Sequence, residues 1–375
     1  MSGSTARLVH LAVRDFRNLS HVELAPPPEG VVVIGENGQG KTNLLESIYY
    51  LQILRSVRGS RDQDLVRFGA DGFHVGANIE TDGCHDVGVG FERAGKRKRI
   101  RLDGAVPERL SDALGALPSV MFSPADVELV AGSPNVRRRF LDIMLALTAP
   151  GYLAALQRYR GALARRNAAL RARGRTARDA IGSVAVWEPP LAEHGATLWL
   201  ARRAWVAAVD ARFEELCHEI GESSRVRIRY ASALVASDDP AASLSAALEE
   251  RREHDLRRGL THDGPHRDDL VITLDGRELR TFGSGGQQRT AAIALRMLEA
   301  ATFSRRAGRA PLFLLDDPFA ELDARRSARI LGLLARDGLG QTVLAVPRES
   351  DIPHQLTRLD RMHVTDGVIV RRTTQ

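Results

Sequence analysis

Cysteine is nearly missing from this chain: Cys84 and Cys217 are the two in 375 residues, far apart and outside any metal-ligand spacing. Neither a disulfide framework nor a zinc site follows from them, and a reducing, cytoplasmic setting is the simplest expectation. Aromatic residues make up only 5% of the chain, and none is interleaved along the basic stretch KRKRIR. That disfavours a stacking platform for single-stranded bases. No apolar run approaches the roughly 20 residues of a membrane span, so no membrane partner is expected. The first stretch, MSGSTARLVHLAVRDF, is broken by Arg7, His10 and Arg14, so it does not read as a secretory signal. Short-period repeats and a clear linker are missing too.

What is present is an ordinary globular composition, 43% hydrophobic and 27% charged. The length suggests two domains, or one with a large insertion. The formal charge of +6 is spread unevenly: residues 136–178 hold eleven arginines against one acid, Asp142. That segment alone is more positive than the whole chain, which points to a polyanionic partner. A set of solvated helix faces is the alternative reading of such a segment.

The chain opens with β-type stretches, RLVHLAVRDF and HVEL, and then the buried-type strand VVVI. After Gly40 comes KTNLLESIYYLQIL, whose apolar spacing predicts an amphipathic helix. Long Arg-, Ala- and Leu-rich helical patterns begin near Ser123, with a loop expected around Gly174. The α/β style returns with DDLVITLDG, PLFLLDD and QTVLAVP. The expected organisation is an α/β sheet domain from residues 1–122 and 256–375, with a helical domain of residues 123–255 inserted between them.

Strand VVVI, then Gly35-Glu36-Asn37-Gly38-Gln39-Gly40-Lys41-Thr42, then a helix fits the phosphate-loop pattern in its required context. Glycines let backbone N–H groups turn onto phosphates, and the helix dipole adds positive potential. Lys41 is expected to reach the β- and γ-phosphates, and the Thr42 hydroxyl to ligate Mg²⁺. The run LFLLDD delivers two acids to the ligand-binding edge of a central strand. Asp316 is the expected Mg²⁺ partner, and Asp317 is placed to orient or deprotonate an attacking water. A second glycine-rich loop, TFGSGGQQR, feeds another helical pattern but carries no lysine.

GENGQGKT, FGSGGQQR and LFLLDDPFAELD together resemble an ABC-type P-loop ATPase head: phosphate loop, signature, acid strand and D-loop. Within that group VRDFRNL, RSVRGSRDQDLVRFG, FSPADVELVAGSPNVRRRFLD and GPHRDDL are similar to the RecF family of bacterial recombination-repair proteins, over nearly the whole chain. The resemblance implies an ATPase head with an inserted, mainly helical arm. It implies ATP-dependent homodimerisation, DNA association in that state, and action with mediator proteins that load recombinase at single-strand gaps. Enzymatically it implies a weak DNA-dependent ATPase acting mainly as an ATP-controlled switch. By the same resemblance Ser284, Gly285 and Gly286 form a signature that contacts the γ-phosphate held by a partner subunit, with Ala320-Glu321-Leu322-Asp323 as the D-loop.

Asp317 stands where many ABC ATPases carry glutamate, and Pro347-Arg348 where many carry a switch histidine. Gln52 and Gln63 are both candidates for the Q-loop glutamine. His266 is as readily structural as catalytic and is left outside the chemistry. The arginine-rich segment, including Arg158, Arg160, Arg165, Arg166 and Arg171, and the strand Lys96-Arg97-Lys98-Arg99 are expected to contact DNA phosphates without reading sequence. The alternative function is the ATPase subunit of another ABC-type machine, an SMC-like clamp or a transporter. The large basic insert argues against the transporter.

Overall fold

The computed structural model describes residues 6–172, 177–234, 237–319, 322–336 and 340–371. The chain forms two compact units, Met1–Asp126 with Glu219–Gly221 and Ala292–Gln375, and Val127–His218 with Glu222–Ala291. The loop expected around Gly174 falls partly outside the described residues, and residues 177–185 are helical.

Two sheets build the first unit. Strands β1 (Arg7–Phe16), β2 (Leu19–Leu24), β4 (Gly72–Glu80), β5 (Cys84–Glu92) and β6 (Arg97–Leu102) form an antiparallel sheet in the order β2-β1-β4-β5-β6. Buried and open positions alternate along them, as a sheet with one solvated face requires. The other sheet has the order β14-β13-β3-β12-β11-β7, with β3 Gly30–Ile34, β7 Ser119–Phe122, β11 Leu312–Asp316, β12 Thr342–Val346, β13 Asp360–Thr365 and β14 Val368–Arg371. Every residue of β3, β7, β11 and β12 is buried, and these four strands run parallel. Continuous apolar runs such as VVVI and LFLL suit strands covered on both faces.

The helix Lys41–Ile53 departs from its predicted amphipathicity. Eleven of its 13 residues are buried, because it packs against β7, β11 and β12 of one sheet and β1, β4 and β5 of the other. A helix covered on all sides has no polar stripe to show. Tyr50 from this helix joins Phe16 and Phe73 edge-on, with centroids 5.2–5.9 Å apart, and Phe91 stacks on Phe73.

The second unit combines helices Pro134–Thr148, Tyr152–Arg171, Glu188–Ile220 (up to His218) and Pro240–Glu250 with a small sheet. That sheet has the order β10-β9-β8, from β8 Val226–Ala231, β9 Asp269–Leu274 and β10 Arg277–Glu278. The stretch 256–291, expected in the sheet domain, clusters here instead. The reason is strand pairing: β9, read from sequence as the return to the α/β domain, is hydrogen-bonded to β8 from Val226↔Leu274 to Ala231↔Asp269. Among the described residues no helix is long and apolar enough to cross a membrane.

Candidate nucleotide site

The loop between β3 and the helix Lys41–Ile53 is shaped by its glycines. Gly40 adopts φ +117°, and a Cβ there would lie 3.0 Å from Asn18 Oδ1. A Cβ on Gly35 would approach the Val364 carbonyl oxygen to 2.5 Å. Lys41 is buried, and its Nζ donates to the carbonyl oxygens of Gly35 at 2.5 Å and Glu36 at 2.8 Å. Burial lowers the pKa of this ammonium, opposed by Asp316 and Asp317. It is a cation held on its own loop, ready to exchange carbonyls for a stronger anionic partner.

The end of β11 brings the acids to that loop. Thr42 Oγ1 donates to Asp316 Oδ1 at 3.0 Å across 274 positions of sequence. Burial raises the Asp316 pKa, while the Thr42 hydrogen bond, Arg58 and Lys41 hold it down. Asp317 has φ +44°, a costly backbone for a residue with a Cβ, and its N–H donates to Ala345 O at 2.9 Å. Asn37, Gly38, Gly40, Lys41, Thr42, Asn43, Arg58, Pro124, Asp316, Asp317 and Pro347 line one open cavity of about 370 Å³. A hydroxyl and a buried carboxylate in contact are hard oxygen donors that suit Mg²⁺. Mg²⁺ commonly takes one or two protein ligands and completes its shell with phosphate and water. No cluster of three or more His, Cys, Asp or Glu with metal-site geometry exists among the described residues, so an all-protein cage has no counterpart here.

Other residues expected at the site divide. Glu36 is exposed at the loop and is not among the lining residues. Gln39 turns away: its Oε1 accepts from Asp366 N at 2.5 Å and its carbonyl from Gly367 N at 3.0 Å, at the β13–β14 turn. Gln52 is fully buried and its Oε1 accepts from the Ser119 N–H and hydroxyl, a structural tie to β7. Gln63 sits in the short turn Asp62–Leu65; neither glutamine lines the cavity. Pro347 does line it, but brings no donor. Sequence reasoning missed Arg58 and Asn43. Arg58 lies in RSVRG, where the available signal was a basic, glycine-bearing loop directly after the phosphate-loop helix. Its Nε is 3.7 Å from the buried Glu46, which also accepts from Arg17 and Ser56.

The second glycine-rich loop lies in the other unit and is built as a capping box. Ser284 Oγ accepts from Gln287 N at 3.3 Å, and Gln287 Oε1 from Ser284 N at 2.9 Å, opening the helix Gly285–Ala307. Gln288 Nε2 donates to the carbonyls of Leu279, Arg280 and Gly283 and braces the loop from behind. Ser284 and Gly285 are exposed and Gly286 partly so. Of the expected D-loop, Ala320 and Glu321 lie outside the described residues, and Asp323 Oδ1 caps the following helix by accepting from Arg326 N at 2.8 Å.

The basic residues need the largest correction. Arg166 is completely buried and donates to Asp255 at 2.7 Å, Thr261 at 2.9 Å and Glu188 at 3.0 Å. Arg137 forms a bidentate pair with Asp269 at 2.7 Å, and Arg160 pairs with Asp142 at 2.9 Å. The neutralising acids Asp255, Glu188 and Asp269 lie outside residues 136–178, so a count within that segment overstates its free charge. Arg158, Arg165 and Arg171 are exposed, with Arg165 over the Trp187 ring at 5.1 Å. Lys98 turns inward to the Leu54 carbonyl and to Asp62 at 3.1 Å, whereas Lys96, Arg97 and Arg99 are exposed. His266 uses both ring nitrogens, with Tyr159 at 2.7 Å and the Thr261 carbonyl at 3.0 Å.

Comparison with known proteins adds a family to this geometry. The model of the RecF/RecN/SMC N terminal domain matches residues 7–368. A DNA replication and repair protein RecF from Anaeromyxobacter sp. (strain K) is 41% identical over 340 residues, 88% of this chain and 89% of that protein. The RecF of Herpetosiphon aurantiacus is 35% identical over 382 residues, 96% of this chain and 98% of that one. A solved structure of the recombination mediator protein RecF with ATP, of the RecFOR pathway, superposes with a TM-score of 0.89 at 27% identity, covering 99% of both chains. The Smc head domain from Pyrococcus furiosus, with an extended coiled coil and bound to the C-terminal domain of ScpA, gives a TM-score of 0.56 at 17% identity. It covers 97% of this chain and 95% of that one, and supports the ABC-type head fold alone.

Proposed function

We propose, because the chain belongs to the RecF family within the RecF/RecN/SMC N-terminal domain proteins, that it is an ATP-controlled DNA-binding protein of replication and recombinational repair. The carrying observation is the contact of Thr42 with Asp316 beside Lys41 and Asp317 in one cavity. Lys41 would leave the Gly35 and Glu36 carbonyls for the β- and γ-phosphates of ATP. Backbone N–H groups of residues 38–42 would hold the remaining phosphate oxygens. Thr42 and Asp316 would hold Mg²⁺, whose role is to neutralise charge on the β- and γ-phosphates. Arg58 adds a second cation on the cavity wall. Asp317 would orient the attacking water, and its short reach suits slow, switch-like hydrolysis.

Ser284, Gly285 and Gly286 have no lysine because, on this reading, they close over a nucleotide held by a second copy of the chain. ATP then drives head-to-head dimerisation, the dimer holds DNA, and slow hydrolysis releases it. Mediator proteins help recombinase load at single-strand gaps while the dimer is in place. Replacing Lys41 by Ala removes a charged hydrogen-bond donor worth about 1.5–3 kcal/mol. ATP affinity should fall roughly 10- to 100-fold, and ATP-dependent retention of duplex DNA should vanish at ATP levels that saturate the native protein. Retention unchanged in Lys41→Ala would sink the site assignment.

A further inference from the structure

The antiparallel sheet turns its buried face to the helix Lys41–Ile53, and its other face is open. On that open face two central strands give up their side chains. Gly76 of β4 and Gly88 of β5 are cross-strand neighbours, and Gly90 lies opposite His74. None of these three glycines has positive φ. The pairing of β4 with β5 runs without a bulge, and the register shift of β1 with β4 lies at Leu8/His10. Neither a turn nor a bulge therefore requires glycine here. The three glycines leave room for a group to lie directly on the strands.

Part of that space holds the His74 ring. A Cβ at Gly76 would lie 2.9 Å from its Cε1, at Gly88 3.5 Å from Nε2, and at Gly90 4.0 Å from Cδ2. The imidazole thus lies along a floor with no side chains of its own and stays exposed. Basic residues border the floor on both sides. One register row runs His21, Arg14, His74, Gly90, Arg99 across the five strands, and the next places Arg101 beside Gly88. Arg97 continues the alternate, exposed positions of β6.

Unlike Arg137, Arg160 and Arg166 of the helical unit, Arg14, Arg97, Arg99 and Arg101 have no carboxylate partner among the described residues. Carboxylates do border the face: Asp86 and Glu92 on β5, and Glu23, which His10 holds at 2.7 Å. Arg14 and Arg101 both act on His74 to lower its pKa, after burial and against Asp86.

We propose that this open sheet face docks the sugar–phosphate backbone of duplex DNA. Arg14 and Arg99 are three strand spacings apart, about 14 Å at roughly 4.8 Å each. The major groove of duplex DNA is about 12 Å wide, so the two basic borders can meet phosphates on both sides of one groove. The glycine floor leaves room for that approach. Among the described residues no Phe, Tyr or Trp of these strands lies on this face; Phe16, Phe73 and Phe91 are buried on the other, which disfavours single strands.

The inference rests on the reading that the chain holds DNA. Its test titrates labelled duplex and single-stranded oligonucleotides with the full chain and ATP over a salt series. The native protein is compared with Arg99→Glu/Arg101→Glu and with Gly90→Val. The charge variant should bind duplex at least ten times more weakly, and its log affinity against log salt should flatten by about 2. Gly90→Val fills the floor with a better strand former, so it should keep or raise the melting temperature while weakening duplex binding several-fold. ATP binding should be unchanged in both. If the native protein binds duplex with ATP and neither variant alters affinity or slope, the sheet face falls and the DNA-holding reading stands. A loss confined to single strands overturns the duplex assignment. Failure of the native protein to bind any DNA overturns the functional reading and this inference with it.

Discussion

His266 spends its ring on the interior of the helical unit, between the Tyr159 hydroxyl and the Thr261 carbonyl, and this carries a pH cost. Burial pushes its pKa down to about 4. The unfolded chain takes up that proton near the ordinary value of 6.5, so between pH 6.5 and 4 the unfolded state binds more protons and stability rises with pH. The contribution is complete above about pH 6.5 and is lost as pH falls towards 4, up to about 3 kcal/mol. His266→Gln, followed by chemical denaturation from pH 7.5 to 4.5, should show a shallower loss of stability than the native chain. Parallel pH profiles would contradict the assignment. The same burial explains what was hard to read residue by residue. Arg166 and Lys98 carry the right charge for a phosphate, but their partners Asp255, Glu188 and Asp62 are set by tertiary contacts. That Lys41, Thr42 and Asp316 meet at one cavity was legible, because a strand–glycine loop–helix fixes its own local geometry and the apolar LFLL run placed Asp316 at a strand end.

At the scale of elements, the serine at the start of the helix Gly285–Ala307 has two separable duties. As a cap it satisfies the Gln287 N–H, and Ser284→Ala should cost about 1 kcal/mol of stability. As a proposed phosphate-facing residue it should matter far more to assembly. The variant should melt only a few degrees lower yet need at least tenfold more ATP or protein to dimerise, measured by calorimetry and by sedimentation. Dimerisation as tight as the native chain's would confine the serine to capping. Element type was largely readable from pattern, including β3, β11, β12 and the arginine-bearing β6. The helix Lys41–Ile53 was found but its environment was not, since packing between two sheets leaves no polar stripe to predict. The return strand Asp269–Leu274 was likewise recognised as a strand, while its partner β8 lies 38 to 48 residues earlier, a pairing no local pattern reports.

For the whole molecule, the proposed two-chain site explains why one chain carries both a lysine-bearing glycine loop and a lysine-free one. The two features lie in different compact units of the chain, and the proposed dimer gives both a use. Asp317→Asn keeps the size of the side chain and removes the charge proposed to orient water. ATP should then bind without turnover and hold the paired state. The direct measurement is the mass of Asp317→Asn by light scattering with ATP, with ADP and without nucleotide, each with and without duplex DNA. A doubled mass is expected with ATP alone, and DNA co-migrating with that species only. A variant that binds ATP, fails to hydrolyse it and stays monomeric would contradict the composite site.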